Sequence, residues 1–379
     1  MDFDVVVVGA GPAGCSAAYD LVKLGRSVLV IDRSEFPRLK ACAGAITIKA
    51  YRALRYPIDP IIRRVCTDLN VGYRTERIST FKSNHPICVM TVRSEFDAFC
   101  LQQTINAGAQ FAVIKQLLDV SESGDGVVIK TSEGLLRSRF VIGADGANSR
   151  IRQLINALPE FERGLALEAK VPHDAPHTVN MEFDFGAVSE GYGWVFPKHD
   201  HLNVGLYTNR CDLKLSKDLL RNYVLSRVKS DDITELIGHS TGLGGWRYSF
   251  KFKRVFLVGD AAGLVDPLLG EGIYNAIKSG QLCAEAISTE FTTTDGIASV
   301  IYLKKMASIQ SDLRSCHRSA SKFYSHLSAG YGALTSTLAR ASLMRGFAAG
   351  KTFGFTKRYF FLLPFVPLPG LPSLQRFLR

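Results

Sequence analysis

The sequence predicts a mixed α/β (α+β) fold. A doubly wound, Rossmann-like nucleotide-binding domain is interleaved with an antiparallel β-sheet domain and followed by a helical tail. Three observations predict it. The apolar run Val5–Val8 leads into the glycine turn Gly9-Ala10-Gly11-Pro12-Ala13-Gly14, and a second apolar run, Val28–Ile31, ends at Asp32. A later stretch with its own glycines and acids runs from Gly259-Asp260 to Asn275. Between them, residues from about 160 to 248 are strand-rich and hold few glycine-rich turns.

Taken in order, residues 4–32 read as strand, glycine turn, helix and strand, one βαβ unit. Residues 111–143 alternate short strands with turns at Gly124-Asp125-Gly126 and Glu133-Gly134, an antiparallel meander that ends in Arg139–Gly143. Ala144-Asp145-Gly146-Ala147-Asn148-Ser149 closes that strand, with Arg152 beyond it. Strand patterns follow near 165–171, 178–185, 192–197 and 202–208. Val255–Val258 then returns to the first domain, and Gly272 to about Ser288 reads as a helix. The expected nucleotide-binding domain is therefore discontinuous, over 1–75, 93–158 and 248–290. Residues 76–92 and 159–247 form the substrate domain, and 291–379 a helical, basic C-terminal region.

The chain of 379 residues, 46% hydrophobic, reads as folded throughout. A strand begins almost at once, which argues against a secretory signal and for a cytoplasmic protein. Eight cysteines without a C-x-x-C pair read as reduced thiols. His173/His177 and His199/His201 read as surface histidines, with no third ligand pattern and no metal expected. The net charge of +11 is unevenly placed: ten Lys/Arg follow Asp312, the last acidic residue. That basic tail includes the apolar run 359–372, too short and proline-rich to span a bilayer. Lys357/Arg358 and Arg376/Arg379 flank the run, which suits it to lying in an anionic membrane interface on the inner face of a membrane. Gly346, Gly350 and Gly354, if helical, form one ridge of small residues. The alternative is a tail folded onto the body as the outer wall of the pocket. Basic residues set among aliphatic runs do not resemble a nucleic-acid module, so no nucleic-acid partner is expected.

The chemistry begins with the glycines. Gly9, Gly11 and Gly14, with Ala13 between the last two, allow a tight turn, close approach to a pyrophosphate and close helix–strand packing. The helix N-terminus then offers free N–H groups to phosphate. Asp32, followed by Arg33, is placed to bind a ribose hydroxyl. Asp260 sits where a carboxylate binds a ribityl chain, and Gly270-Glu271-Gly272 starts a helix pointing at a ring system. A cofactor touched from both ends of the chain is long and central, which fits FAD better than NAD.

These segments resemble the p-hydroxybenzoate hydroxylase-like class of flavoproteins. The resemblance lies in Gly9–Gly14 with Asp32-Arg33, in Asp145-Gly146 with Ser149 and Arg152, and in Gly259-Asp260 through Pro267, Gly270, Gly272, Ile273 and Asn275. Arg93-x-x-Phe96-Asp97 also fits, and in that class the arginine reaches the FAD. Tyr192-Gly193-Trp194-Val195-Phe196-Pro197, then seven residues to Gly205, is similar to a segment of the geranylgeranyl reductase family that lines an isoprenoid pocket there. Tyr192, Trp194 and Phe196 alternate along one strand and share one face, an apolar wall suited to a polyprenyl chain. Phe36 to Ala45 holds a second marker. The reductases have a cysteine and two glycines near the flavin ring, and this chain has Cys42, Ala43 and Gly44, then Ala45.

The resemblance implies an FAD-dependent reductase of isoprenoid C=C bonds, acting on a geranylgeranyl-type diphosphate, a prenylated lipid or a prenylquinone. Hydride comes from reduced flavin and a proton from Cys42, Tyr192 or water. NAD(P)H, ferredoxin or a quinol is the expected electron donor. Two other readings share the fold: an FAD-dependent monooxygenase or halogenase, and a non-catalytic flavin- or lipid-binding peripheral membrane protein.

Overall fold

Val5–Val8 are buried on both faces, as a parallel strand between helical layers must be. In the computed structural model they belong to β1 (Phe3–Val8), inside a seven-stranded sheet. The structure describes residues 1–249, 252–365, 367–368, 370–375 and 377. Val366 and Pro369 of the apolar run, and Arg376 and Arg379 of its basic flank, lie outside the described residues.

On one side β1 runs parallel to β2 (Val28–Asp32), with β8 (Gln110–Val113) beyond it. On the other it runs parallel to the second half of β11 (Gly134–Gly143), which also pairs in parallel with β17 (Val255–Leu257). The first half of β11 is antiparallel to β10 (Gly126–Thr131), and β9 (Leu117–Ser123) completes the meander. One long strand thus serves both the parallel core and the meander.

Helix α1 (Pro12–Lys23) starts with Gly11 at the N-cap and Pro12 at the first helical position, where a missing N–H does no harm. It packs against α3 (Arg93–Asn106) and α6 (Ile273–Glu290). The contact with α6 is backbone-close: a Cβ on Gly280 would lie 2.3 Å from Ala13 O. Two short helices complete this half. Thr47 caps α2 (Ile48–Ala53) by accepting the Ala50 N–H, and Ser149 caps α4 (Arg150–Leu154) by accepting that of Arg152.

The second sheet also has seven strands, in the order β16 (Glu235–Leu243), β12 (Glu162–Pro172), β15 (His201–Thr208), β14 (Gly191–Pro197), β13 (Met181–Phe185), β5 (Leu69–Tyr73) and β6 (Arg77–Phe81). Only the β13–β5 pair is parallel. The boundary expected at residue 75 falls in the β5–β6 turn, because β5 belongs to this sheet. Cys88–Met90, expected in the same domain, forms β7 of a third, three-stranded sheet with β3 (Ala45–Thr47) and β4 (Arg64–Cys66). One face of the second sheet is covered by α5 (Lys217–Val228), whose Leu220, Tyr223 and Val224 pack on Val195, Val204 and Leu206. The sequence reading did not foresee α5 or β16. The signal for α5 was Ser216, which caps the helix by accepting the Leu219 N–H, with Asp218 in its first turn.

The other face carries Tyr192, Trp194, Phe196 and Tyr207, and the C-terminal region packs toward it. That region comprises α7 (Ile297–Ser325), α8 (Leu327–Leu334), α9 (Thr337–Ala348), α10 (Phe353–Arg358) and α11 (Pro372–Gln375). Tyr331, Met344 and Ala348 join the same apolar cluster, with Phe323, Leu327 and Phe347 at its margin. Gly346, Gly350 and Gly354 do not form one ridge. Gly350 has φ +65° and ends α9, so the three glycines lie on two helices and the joint between them. Among the described residues no helix is long and apolar enough to cross a membrane.

Replacing Gly280 by Ala forces α1 and α6 apart at Ala13. Such overpacking costs about 1–3 kcal/mol, and Gly280→Ala is expected to lower the thermal unfolding midpoint. Calorimetry checks this, and an unchanged midpoint refutes the contact.

Candidate functional site

A cavity of about 860 Å3 runs between the first and second sheets. At one end lie Asp32, Arg33 and the chain from Ile114 to Leu118. Gly9, Gly11, Pro12 and Ala13 line its middle, facing Asp145 and Gly146. Asp260, Gly270 to Ile273 and Cys42 to Ala45 also line it. Tyr192, Trp194, Phe196, Tyr207, Phe183, Met181 and Phe347 close the far end.

Local structure explains each placement. Gly9 has φ +107°, and a Cβ there would sit 2.4 Å from Ala144 O. The turn can therefore be tight enough to aim the N-terminus of α1 along the cavity. Asp32 ends β2, where its carboxylate accepts the N–H groups of Ala10 at 2.9 Å and Ser34 at 3.0 Å. Asp145 accepts from the Ser149 hydroxyl at 2.5 Å and the Arg150 N–H at 2.6 Å. Burial nonetheless raises the Asp145 pKa. Arg93 is held by a two-bond pair with buried Asp97, both at 3.0 Å, and Arg38 adds a third contact at 3.2 Å. Asp260 is raised by burial, while Lys40 and Arg93 pull it back. The N-terminus of α6 opens onto the cavity at Gly272 and Ile273, so two helix N-termini, those of α1 and α6, face one space.

The loop Cys42–Gly44 is held from both domains. Cys42 N–H donates to Glu168 at 3.0 Å, Lys198 Nζ donates to Ala43 O at 2.5 Å, and the Thr91 hydroxyl donates to Gly44 O at 3.0 Å. Gly44 N–H lies 3.4 Å from the Cys42 sulfur, and Gly44 has φ +67°. Lys198 is buried without an acidic partner within 4 Å among the described residues, and burial lowers its pKa to about 8. Lys40 is likewise lowered to about 8, its Nζ 2.5 Å from His239 Nε2.

Six of the residues singled out from sequence are buried or packed behind the cavity wall. Gly14 and Gly259 are packing glycines, since a Cβ would meet Gly9 O at 1.9 Å and the Ala13 Cβ at 2.9 Å respectively. Pro267 O accepts from Asn209, and Asn275 donates to Leu264 O at 2.8 Å. Pro197 is buried in β14. Gly205 lies beneath the Trp194 indole, where a Cβ would be 2.2 Å from the ring. Tyr192 is buried, and its hydroxyl donates to Leu269 O. His201, read as a surface residue, is buried and bonded to Asp200 at 2.7 Å. Sequence reasoning missed Lys40, Glu168, Lys198 and His239, because residues distant in sequence bring them together. Among the described residues no group of three or more His, Cys, Asp or Glu is placed to hold a metal.

Gly205→Ala is expected to push the Trp194 indole off the sheet, destabilising the protein by about 1–3 kcal/mol and shifting tryptophan fluorescence. An unshifted spectrum with unchanged stability would count against this packing.

The cavity fits an elongated dinucleotide whose flat ring would lie beside an apolar chamber. It offers an acid and a glycine cradle, helix N-termini along its length, and backbone made close by Gly9 and Gly44. Comparisons with known proteins agree. An FAD dependent oxidoreductase family matches residues 4–68, and an FAD binding domain family matches residues 74–292. The chain is 32% identical over 353 residues to an uncharacterized protein of Methanosarcina barkeri, covering 93% of this chain and 91% of that one. It is 32% identical over 302 residues to the geranylgeranyl diphosphate reductase of Rhodobacter capsulatus, covering 76% and 75%. Among solved structures, a geranylgeranyl bacteriochlorophyll reductase-like protein from Thermoplasma acidophilum superposes with a TM-score of 0.74 at 20% identity, covering 99% and 95%. The flavin-dependent brominase Bmp2 superposes with a TM-score of 0.72 at 18% identity, covering 94% and 98%. These two likenesses are of fold. The protein is an oxidoreductase with FAD as its cofactor, and the chain belongs to the geranylgeranyl reductase family of FAD-dependent oxidoreductases.

Proposed function

We propose that the protein saturates isoprenoid C=C bonds on a geranylgeranyl-type diphosphate, a prenylated lipid or a prenylquinone. The observation that carries this is the aromatic wall of Tyr192, Trp194 and Phe196, which shares one cavity with the glycine cradle and the two helix ends. Relatives named geranylgeranyl diphosphate reductase and digeranylgeranylglycerophospholipid reductase support the substrate class. The likeness to a brominase extends to fold alone.

In this reading Gly9, Gly11, Ala13 and Gly146 take the pyrophosphate region of FAD, with Gly14 and Gly259 setting the close packing behind it. Asp32 and Arg33 take the ribose, Asp260 the ribityl chain, and Gly270, Gly272 and Ile273 the ring. Pro267 and Asn275 shape that last turn, and Asp145 ties down α4 beside it. Cys42, Ala43, Gly44 and Arg93 border the ring from the opposite side. When bound and reduced, FAD supplies hydride. Tyr192, Trp194 and Phe196 exclude water and hold the alkene in reacting geometry, while Pro197 and Gly205 fix the strand and the indole that form this wall. Cys42 stands where the loop, Arg93 and the apolar chamber meet, as a gate or a proton relay. NAD(P)H, ferredoxin or a quinol would supply the electrons. Reduced holoenzyme mixed anaerobically with geranylgeranyl diphosphate is expected to reoxidise and give a saturated product by mass spectrometry. Failure with every polyprenyl class overturns the reading.

The protein meets its substrate at an anionic membrane surface, on the inner face of a membrane. Phe361, Leu362 and Phe365 are 71%, 62% and 83% exposed, close in sequence to Lys357 and Arg358. Apolar side chains beside cations suit an interface of anionic lipid. The double substitution Phe361→Ser with Phe365→Ser is expected to weaken binding to phosphatidylglycerol vesicles by about tenfold or more, measured by co-sedimentation. Equal binding by the variant rules this patch out.

A further inference from the structure

A second, polar pocket of about 450 Å3 abuts the large cavity. Lys198, His199, Asp200, His201 and Asn203, from the β14–β15 turn and the start of β15, form one of its sides. The two spaces share Leu39, Lys40, Cys42, Arg93, Glu168 and Ile237. Among the described residues, Glu168 is the one carboxyl group in that partition.

Its position follows from strand register. Glu168 of β12 stands opposite Gly205 of β15, which stands opposite Trp194 of β14. The three residues form one cross-strand row on the cavity face. Gly205 has no side chain, and the Trp194 indole lies over it, so the aromatic wall ends beside Glu168. The carboxylate accepts the Cys42 N–H at 3.0 Å and is hydrogen-bonded by Asn203. The Asn203 oxygen in turn accepts the Trp194 indole N–H at 2.7 Å. One face of Glu168 thus belongs to the apolar chamber and the other to a polar route from solvent.

We propose that Glu168 is the proton donor of the reduction and is recharged from water through the polar pocket. The proposal rests on the reductase reading. One alkene carbon gains hydride from the reduced cofactor. The π electron pair then takes the Glu168 proton at the other carbon, where a C–H bond forms as the carboxyl O–H breaks. The alkene is reduced, the cofactor is oxidised, and the carboxylate left behind takes a proton from water.

Burial raises the Glu168 pKa, and the Cys42 N–H, Asn203, Lys198 and Arg93 act in the lowering direction. A raised carboxyl keeps its proton nearer neutrality, as an acid catalyst requires. Three other proton-bearing groups are less well placed. Burial pushes the Tyr192 hydroxyl well above its ordinary range, and it is committed to Leu269 O. Arg93 is bound to Asp97. Lys40 lies against His239, with the Asp260 charge nearby.

Lys198, Arg93 and Cys42 act on Glu168 directly, and Lys40, Arg63, Glu95, Lys170, His199, Asp200, His201 and Glu235 also line the polar pocket. Because the protonated form donates, the rate falls as pH rises through the raised Glu168 pKa. Lys198, lowered to about 8, loses its charge only toward the alkaline side.

The test is anaerobic single-turnover reoxidation of pre-reduced holoenzyme by geranylgeranyl diphosphate. Glu168→Gln is expected to keep its flavin, to react about 100-fold or more slowly, and to lose the alkaline fall. Glu168→Asp is expected to recover part of the rate with the fall intact. An infrared pH titration of the protein without substrate is expected to lose one protonated-carboxyl band in Glu168→Gln. A Glu168→Gln rate within about threefold of the parent overturns the proposal, as does loss of the reaction in Lys40→Gln but not in Glu168→Gln. If Glu168→Gln emerges without flavin, the parent profile decides: a rate that holds or rises with pH overturns it. Failure of the parent protein with every polyprenyl substrate is a separate result and removes the reductase reading itself.

Discussion

Helices α1 and α6 touch backbone to backbone where Gly280 meets Ala13, and the rest of the site depends on that contact. Gly259 extends it between Ala13 and Ala276, and Gly14 lets the start of α1 close on Gly9 and Ala144. Small residues here have a consequence at a distance. They bring the N-termini of two helices separated by about 260 residues to the wall of one cavity. Both ends carry partial positive charge, so the space between them suits a long anionic cofactor whose ring must hold charge when reduced.

The second sheet completes the site through its interior strands. Glu168 and Lys198 reach across to the Cys42–Gly44 loop, and Thr91 anchors the same loop from the end of β7. A loop at the domain junction is held in shape by side chains that belong to the other domain. The methyl groups of Ala43 and Ala45 are accommodated, and both residues pack on the aromatic cluster.

How much of this was legible in the sequence follows from the range of each interaction. The Gly9–Gly14 turn, Asp32 and the alternation of Tyr192, Trp194 and Phe196 are local patterns, and residues from each of them line the cavity. Gly14, Gly259, Pro267 and Asn275 belong to the right turns but sit behind the wall, because a motif does not distinguish a residue that touches the ligand from one that permits packing. Glu168, Lys40 and Lys198 gave no local signal. Their environment is made by strand register and by contacts such as Cys42 to Glu168, spanning 126 residues. The helix α5 is announced only by Ser216 and Asp218, a short local signal inside a stretch of strand alternation. The ridge expected at Gly346, Gly350 and Gly354 assumed an unbroken helix, and the left-handed Gly350 ends it.

Part of the far wall of the cavity comes from the end of the chain. Phe347 of α9 lines it, and Tyr331 and Met344 stand behind it in the same cluster. None of these residues takes part in the glycine cradle, which is assembled from segments before residue 280. The depth of the chamber and the grip on the cofactor are therefore written in different parts of the gene. Insertions or exchanges among the last helices can lengthen, shorten or reopen the chamber while the redox machinery stays as it is, which gives such a scaffold room to follow changes in lipid length.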